Sequence, residues 1–148
     1  MERERYSIGR SEDDFVYWFY SEGPRGRILK TVQFQHVPEY GRNFFNLAFG
    51  DYDESTGRIN DQVASNNGDH LKVLHTVAKV VLDFVNFWPK AIIQIKGSTS
   101  SRTRLYQMGI SSFWFEIIRG IRRRLEAFPK RDELRKVSNI QENQVNLW

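Results

Sequence analysis

The sequence predicts an α+β fold: a single domain with a curved antiparallel β-sheet, in the order β-β-β-α-β-α, covered by two helices. Three observations carry this. Aromatic and β-branched runs separated by turn residues fill positions 15–53. An apolar i, i+3, i+4 repeat spans 71–88. A short apolar strand at 91–95 then meets a run of small hydroxyl residues.

Residues 1–13 read as a flexible N-terminus, 14–128 as the domain and 129–148 as a polar C-terminal extension. Phe15 to Tyr20 forms the first strand. Gly23, Pro24, Arg25 and Gly26 supply a turn, and Ile28, Thr31, Val32 and Phe34 continue on the return strand. "NFFNLAFGDYD" gives a third strand ending near Gly50 and Asp51, and "DESTGRINDQVASNNGD" is a polar loop. Asp69 or Asn67 caps a helix of about five turns whose inner stripe includes Leu71, Leu74, Val77, Val81, Val85 and Trp88, and Pro89 ends it. "AIIQIKG" is a strand placed centrally in the sheet. A second helix starts within Ser98–Ser101 and runs towards Arg124, with Gly109 and Gly120 as weak points.

At 148 residues and 40% hydrophobic, the chain can bury a real core. It has no cysteine, which excludes a disulfide framework, a thiolate metal site and a cysteine nucleophile. No apolar run approaches the ~20 residues that cross a bilayer, and the charged opening "MERERYSIGRSEDD" lacks an apolar signal core. A cytoplasmic protein with no membrane partner is therefore expected. The net charge of +4 is unevenly spread. Lys96 to Lys136 holds eleven Lys/Arg against four Asp/Glu, leaving eleven against fourteen elsewhere. This asymmetry suits an anionic partner, RNA or a nucleotide, or an acidic protein partner. It also suits a solvated helix face.

The densest chemistry is in "IIQIKGSTSSRTRLY". A helix start after a strand offers unpaired N–H groups and partial positive charge. Gly97 permits close backbone approach, Ser98, Thr99, Ser100 and Ser101 add hydroxyls, and Lys96, Arg102 and Arg104 add cations. These are the ingredients of a phosphate site, although neither the GxxxxGK[ST] nor the GxGxxG spacing is present. Ordinary helix caps would use the same hydroxyls. Two arginines in a first turn oppose the helix dipole, however, and call for an acidic partner.

Two further groups stand out. Asp51, Asp61, Asn67 and Asp69 belong to an acid- and amide-rich stretch with turn-forming composition and no EF-hand spacing, so no metal and no cofactor is expected. Arg119, Arg122, Arg123 and Arg124 lie beside Phe113, Trp114 and Phe115. That pattern fits a nucleic-acid or protein-partner face, or a homodimer contact. HExxH, GxSxG and paired-carboxylate motifs are absent. If the chain is an enzyme, Arg102, Tyr106 and His75, with Arg104, form the cast of a metal-free ribonuclease-like site.

The segments "NLAFGD", "INDQVASNNGDHLKVLHTVAKVV" and "IIQIKGSTSSRTRLYQMGIS" resemble a family of small bacterial proteins of unknown function, over about residues 15–112. The shared pattern is NxxFGD, then NNxDxxxVLxTV, then KGSTxxRTRLY. Some members resemble components of toxin–antitoxin loci, so the resemblance implies a toxin-type role, with an antitoxin as acidic partner. Two readings follow. In one, the Lys96–Arg104 junction binds a phosphate-bearing ligand. In the other, the junction is structural, Arg102 or Arg104 pairs with Asp51 or Asp61, and the chain is a non-catalytic interaction module.

Overall fold

The computed structural model describes residues 5–60, 67–95, 104 and 107–112. Alternating burial along three consecutive strands builds the sheet. β2 (Val16–Gly23) buries Tyr17, Phe19 and Ser21 and exposes Trp18, Tyr20 and Glu22. β3 (Gly26–His36) pairs with it antiparallel, Tyr17 opposite Val32 and Phe19 opposite Lys30. The connection has only Pro24 and Arg25 between the paired Gly23 and Gly26, and Gly26 takes φ +88°, where glycine carries no steric cost. β4 (Phe44–Asp53) runs antiparallel to β3 with Phe34 opposite Leu47 and Lys30 opposite Asp51.

One strand sits in each of two stretches that read as irregular. The N-terminal segment expected to be flexible contributes β1 (Gly9–Arg10), paired with β2 through Gly9 and Trp18. The polar loop after β4 contains β5 (Arg58–Asn60), antiparallel to the end of β4. Gly50 admits it: a Cβ there would lie 2.6 Å from the Asn60 carbonyl oxygen and the Ile59 Cγ2. Arg, Ile and Asn in three residues carry no periodic signal, so sequence patterning passes over such a strand.

The chain then forms α1 (His70–Phe87), as the apolar repeat predicts. Trp88 donates its N–H to the Phe84 carbonyl (2.9 Å), Pro89 blocks a further turn, and Ile92 N–H bonds to the Asn43 carbonyl (2.8 Å) as β6 (Ile92–Ile95) begins. β6 lies beside β4 and parallel to it, Phe45 opposite Ile93 and Leu47 opposite Ile95. The sheet is therefore mostly antiparallel, as expected, with one parallel pair. The order is β1-β2-β3-β4, with β5 and β6 sharing the far edge of β4. Arg104 and residues 107–112 are helical, which gives the two-helix α+β domain. The predicted C-terminal extension lies outside the described residues.

The core is aromatic and lies between one sheet face and α1. Phe84 stacks on Phe34 with centroids 3.8 Å apart and planes 2° from parallel, and meets Phe45 edge-on at 5.1 Å. Phe15 stacks on Phe45 and Trp88 at the same end. Complete burial of a Phe side chain contributes about 1.5–3 kcal/mol, and Phe84 is fully buried. α1 is enclosed beyond its sheet-facing stripe: eleven of its eighteen residues are buried, including Leu82 and His75.

Among the described residues, one buried side-chain group is left over. Tyr17 is 1% exposed, and its hydroxyl has no hydrogen-bond partner among them. Burial, then the charges of Asp14 and Asp83, push its pKa up to about 12. Tyr17→Phe should raise stability at neutral pH by about 1 kcal/mol, the cost of an unpaired buried hydroxyl. The folded pKa is raised, so the ionisation penalty is absent below pH ~10 and grows as pH rises towards 12. Denaturant titrations of the two proteins between pH 7 and 12 check this: the wild type should lose the more stability at the alkaline end.

Candidate functional site

Lys96, Gly97, Ser98, Thr99, Ser100, Arg102, Tyr106, Asp61, Arg119, Arg122, Arg123 and Arg124 lie outside the described residues. What surrounds the junction is described. β6 ends at Ile95, level with Leu47 of β4. The Gln107 amide Nε2–H donates to the Ile95 carbonyl at 3.1 Å, so the chain that leaves the strand returns to its last residue. Ile110 is buried, and Gly109 sits so close to α1 that a Cβ would lie 2.5 Å from the Leu74 Cδ1. Arg104, in between, is exposed.

The topology sets which groups share this end of the sheet. β4 and β6 run the same way and α1 connects them, so α1 begins at their C-terminal ends. The β2–β3 turn is at that end too, because Lys30 pairs with Asp51 near the close of β4. β5 runs back along the same edge, with Asn60 opposite Asp51. The C-terminus of β6, the C-terminus of β5, the start of α1 and the hairpin turn therefore gather at one end. Asp51 and Leu47 are four residues apart on β4, which places the ends of β5 and β6 roughly 13 Å apart along one edge.

Asp51 and Lys30 form an ion pair on the helix-facing side of the sheet, with side chains 18% and 8% exposed. The structural reading of the junction pairs Arg102 or Arg104 with Asp51 or Asp61; Asp51 lies against Lys30, and Asp61 is outside the described residues. A strict period-2 count places Lys30 in line with Val32 and Phe34, and that signal would have found it.

Asn67 and Asp69 have different roles from a helix cap. Asp69 occupies the N-cap position of α1, and its main-chain carbonyl accepts from Val73 N–H (2.9 Å), but its side chain makes no capping bond. Its Oδ2 instead accepts from the Tyr6 hydroxyl (2.6 Å) and the Ser21 hydroxyl (2.5 Å). Asn67 is 3% exposed. Its Oδ1 accepts from Arg25 N–H (2.7 Å), and its Nδ2–H groups donate to the Gly26 carbonyl (2.9 Å) and Ser21 Oγ (3.2 Å). Gly23 is required here, since a Cβ would fall 1.9 Å from the Asn67 carbonyl oxygen. Tyr6 also donates its backbone N–H to Thr76 Oγ1 (2.9 Å). Burial, then the bond to the Asp69 carboxylate, raise its pKa above the usual tyrosine value. The cluster is a brace joining the N-terminal segment, the hairpin and α1. Ser21 was legible as the third inward position after Tyr17 and Phe19; Tyr6 carried no such signal.

His75 is 5% exposed. Phe84, which packs on the sheet, lies about two and a half turns further along α1, so His75 is on the side turned away from the sheet. The ring is not open to a substrate at the surface.

The fold and this end of the sheet define a small α+β domain with a helix-covered, mostly antiparallel sheet and one parallel strand pair. A family model, described as a family of unknown function (DUF6934), matches residues 2–135, and the chain belongs to that family. No curated protein and no solved structure matches it. Among the described residues, no helix is long and apolar enough to cross a membrane.

Removing one member of the Lys30–Asp51 pair leaves a largely buried charge. Lys30→Met should cost about 3 kcal/mol, while the double replacement Lys30→Met with Asp51→Leu should recover most of the loss. Urea denaturation of the wild type, both single variants and the double variant gives the coupling energy directly.

Proposed function

We propose that the chain binds a phosphate-bearing ligand, RNA or a nucleotide, at the junction formed by Lys96, Gly97, Ser98, Thr99, Ser100, Arg102 and Arg104. The observation that carries the reading is the position of β6. A segment rich in hydroxyl and guanidinium side chains follows the C-terminal end of a strand in a parallel pair. In open, mostly parallel sheets ligands bind outside the carboxyl ends of the strands, where helix N-termini bring partial positive charge, and the β4–β6 pair provides one such end. The tether from Gln107 to Ile95 supports it, because it fixes where the second helix returns to the strand. Exposed Arg104 supports it further, as does the engagement by Lys30 of Asp51, one of the two acids, with Asp61, expected as the arginines' structural partners.

Arg102 and Arg104 would hold phosphate oxygens through their planar forks, with backbone N–H groups and hydroxyls completing the shell. The resemblance to toxin–antitoxin components extends the reading to a growth-inhibiting role, tested by induced expression of wild type and Arg102→Ala.

Thermal denaturation of the wild type, Arg102→Ala and Arg104→Ala with pyrophosphate, mononucleotides and short RNA tests the binding. A ligand at a hundredfold excess over its Kd should stabilise the wild type by about 2.7 kcal/mol. The ligand-free variants should melt close to the wild type and lose most of that gain. No stabilisation by any phosphate compound would overturn the reading in favour of the protein-interaction module. So would an Arg102→Ala protein that is itself strongly destabilised.

A further inference from the structure

We infer that the sheet face turned away from α1 is a platform for single-stranded RNA, with an amide-lined depression that reads one base. This rests on the phosphate-binding reading above and names its ligand class.

Register defines the platform. On that face β3 presents Gln33 and Gln35, β4 presents Asn46 and Ala48, and β6 presents Gln94, while Thr31 and Gly50 share the register but are buried. Gln35, Asn46 and Gln94 stand side by side across three strands. The five exposed or half-exposed positions are uncharged, and the charges on this face, Glu22, Arg27 and Arg58, stand around them. A merely solvated sheet face would carry Lys and Glu; neutral amides donate and accept at once and suit a neutral partner with fixed donors and acceptors.

The small residue Ala48 lowers the floor. Beside it lies a depression of about 380 Å³, lined by Gln33, Gln35, Asn46, Ala48, Arg58 and Ile59 among others. That volume is at the lower end for small-ligand sites and suits one nucleotide. Asn46 Nδ2–H donates to Gln35 Oε1 at 3.2 Å, which orients the pair and leaves one amide oxygen to accept and one amide nitrogen to donate. An adjacent acceptor and donor is the arrangement with which Asn and Gln read base edges.

The aromatic rim distinguishes a strand from a lone nucleotide. Trp18 and Tyr20, on β2, remain 37% and 40% exposed on the same face. The Arg27 guanidinium lies over the Tyr20 ring at 3.8 Å. Aromatic rings and guanidinium planes at successive sheet positions are stacking surfaces for splayed bases. The depression borders residues 46–49 of β4, alongside which β6 ends, so a phosphate at the junction and a base on the platform are within reach of one strand.

The test is fluorescence anisotropy of the full chain with labelled A, C, G and U hexaribonucleotides at several salt concentrations. The variants are Asn46→Ala, Gln33→Ala, Tyr20→Ala and Arg104→Ala, each checked by its melting curve. The wild type should prefer one base. Asn46→Ala and Gln33→Ala should weaken binding about tenfold and flatten that preference with an unchanged salt slope. Tyr20→Ala should weaken all four hexamers. Arg104→Ala should reduce the salt slope by about one. If Arg104→Ala fails to bind while the Asn46, Gln33 and Tyr20 variants bind as the wild type, the platform is overturned and the junction reading stands. The opposite pattern keeps the platform and removes the junction. Wild type that binds no hexamer, or a concentration-dependent dimer that Tyr20→Ala makes monomeric, would overturn the inference and assign the face elsewhere.

Discussion

Parallel pairing of β4 and β6 is the constraint on which the described architecture depends. Two antiparallel strands can be joined by two residues, as Gly23 and Gly26 are. Two parallel neighbours cannot, because the chain must return the length of the sheet before pairing again. Residues 54–91 make that return, and α1 is its principal element. Once α1 must cross the sheet, it has to cover it, and the Phe84–Phe34 stack follows from that geometry. So does the gathering of polar segments at one end, since every chain reversal there answers the same crossover.

The helix-facing side of the sheet is not uniformly apolar. Towards the centre and the Trp88 end, Tyr17, Phe34, Phe45 and Phe84 interlock. Towards the start of α1, the inward positions are Ser21, Lys30 and Asp51, joined by Asn67 and Asp69. Each has a named partner, as buried polar groups require. The molecule is thus held at one end by packing, which tolerates small adjustments, and at the other by directional bonds. The directional end is the one from which the Lys96–Arg104 segment departs.

Much of the fold was legible because its signals are local and periodic. Alternation gave β2, β3 and β4, the 3.6-residue repeat gave α1, and Pro89 marked its end. Three things were not legible. β1 and β5 are two and three residues long and owe their pairing to Trp18 and Gly50 on neighbouring strands. The direction of β6 depends on where α1 delivers the chain, which no window of sequence records. Asp69 illustrates a subtler limit. Its residue type correctly marked a helix start, yet its carboxylate serves Tyr6 and Ser21, residues distant in sequence. For the candidate site, residue chemistry singled out the junction. The amides on the opposite sheet face escaped notice, because Gln33, Gln35 and Asn46 become a cluster only through register.

The crossover also shapes how the chain leaves the ribosome. The β2–β3–β4 meander is built from neighbouring segments and can pair as soon as Asp53 has emerged. Its inner face, with Phe19, Phe34, Phe45 and Leu47, has no cover until α1 follows, and the free edge of β4 has no parallel neighbour until Ile95 does. During that interval the nascent chain displays an aromatic surface and an open strand edge together, the combination that invites chaperones or misassociation. Synthesis pace through residues 54–95 therefore matters more to the yield of folded protein than synthesis pace through the hairpin itself.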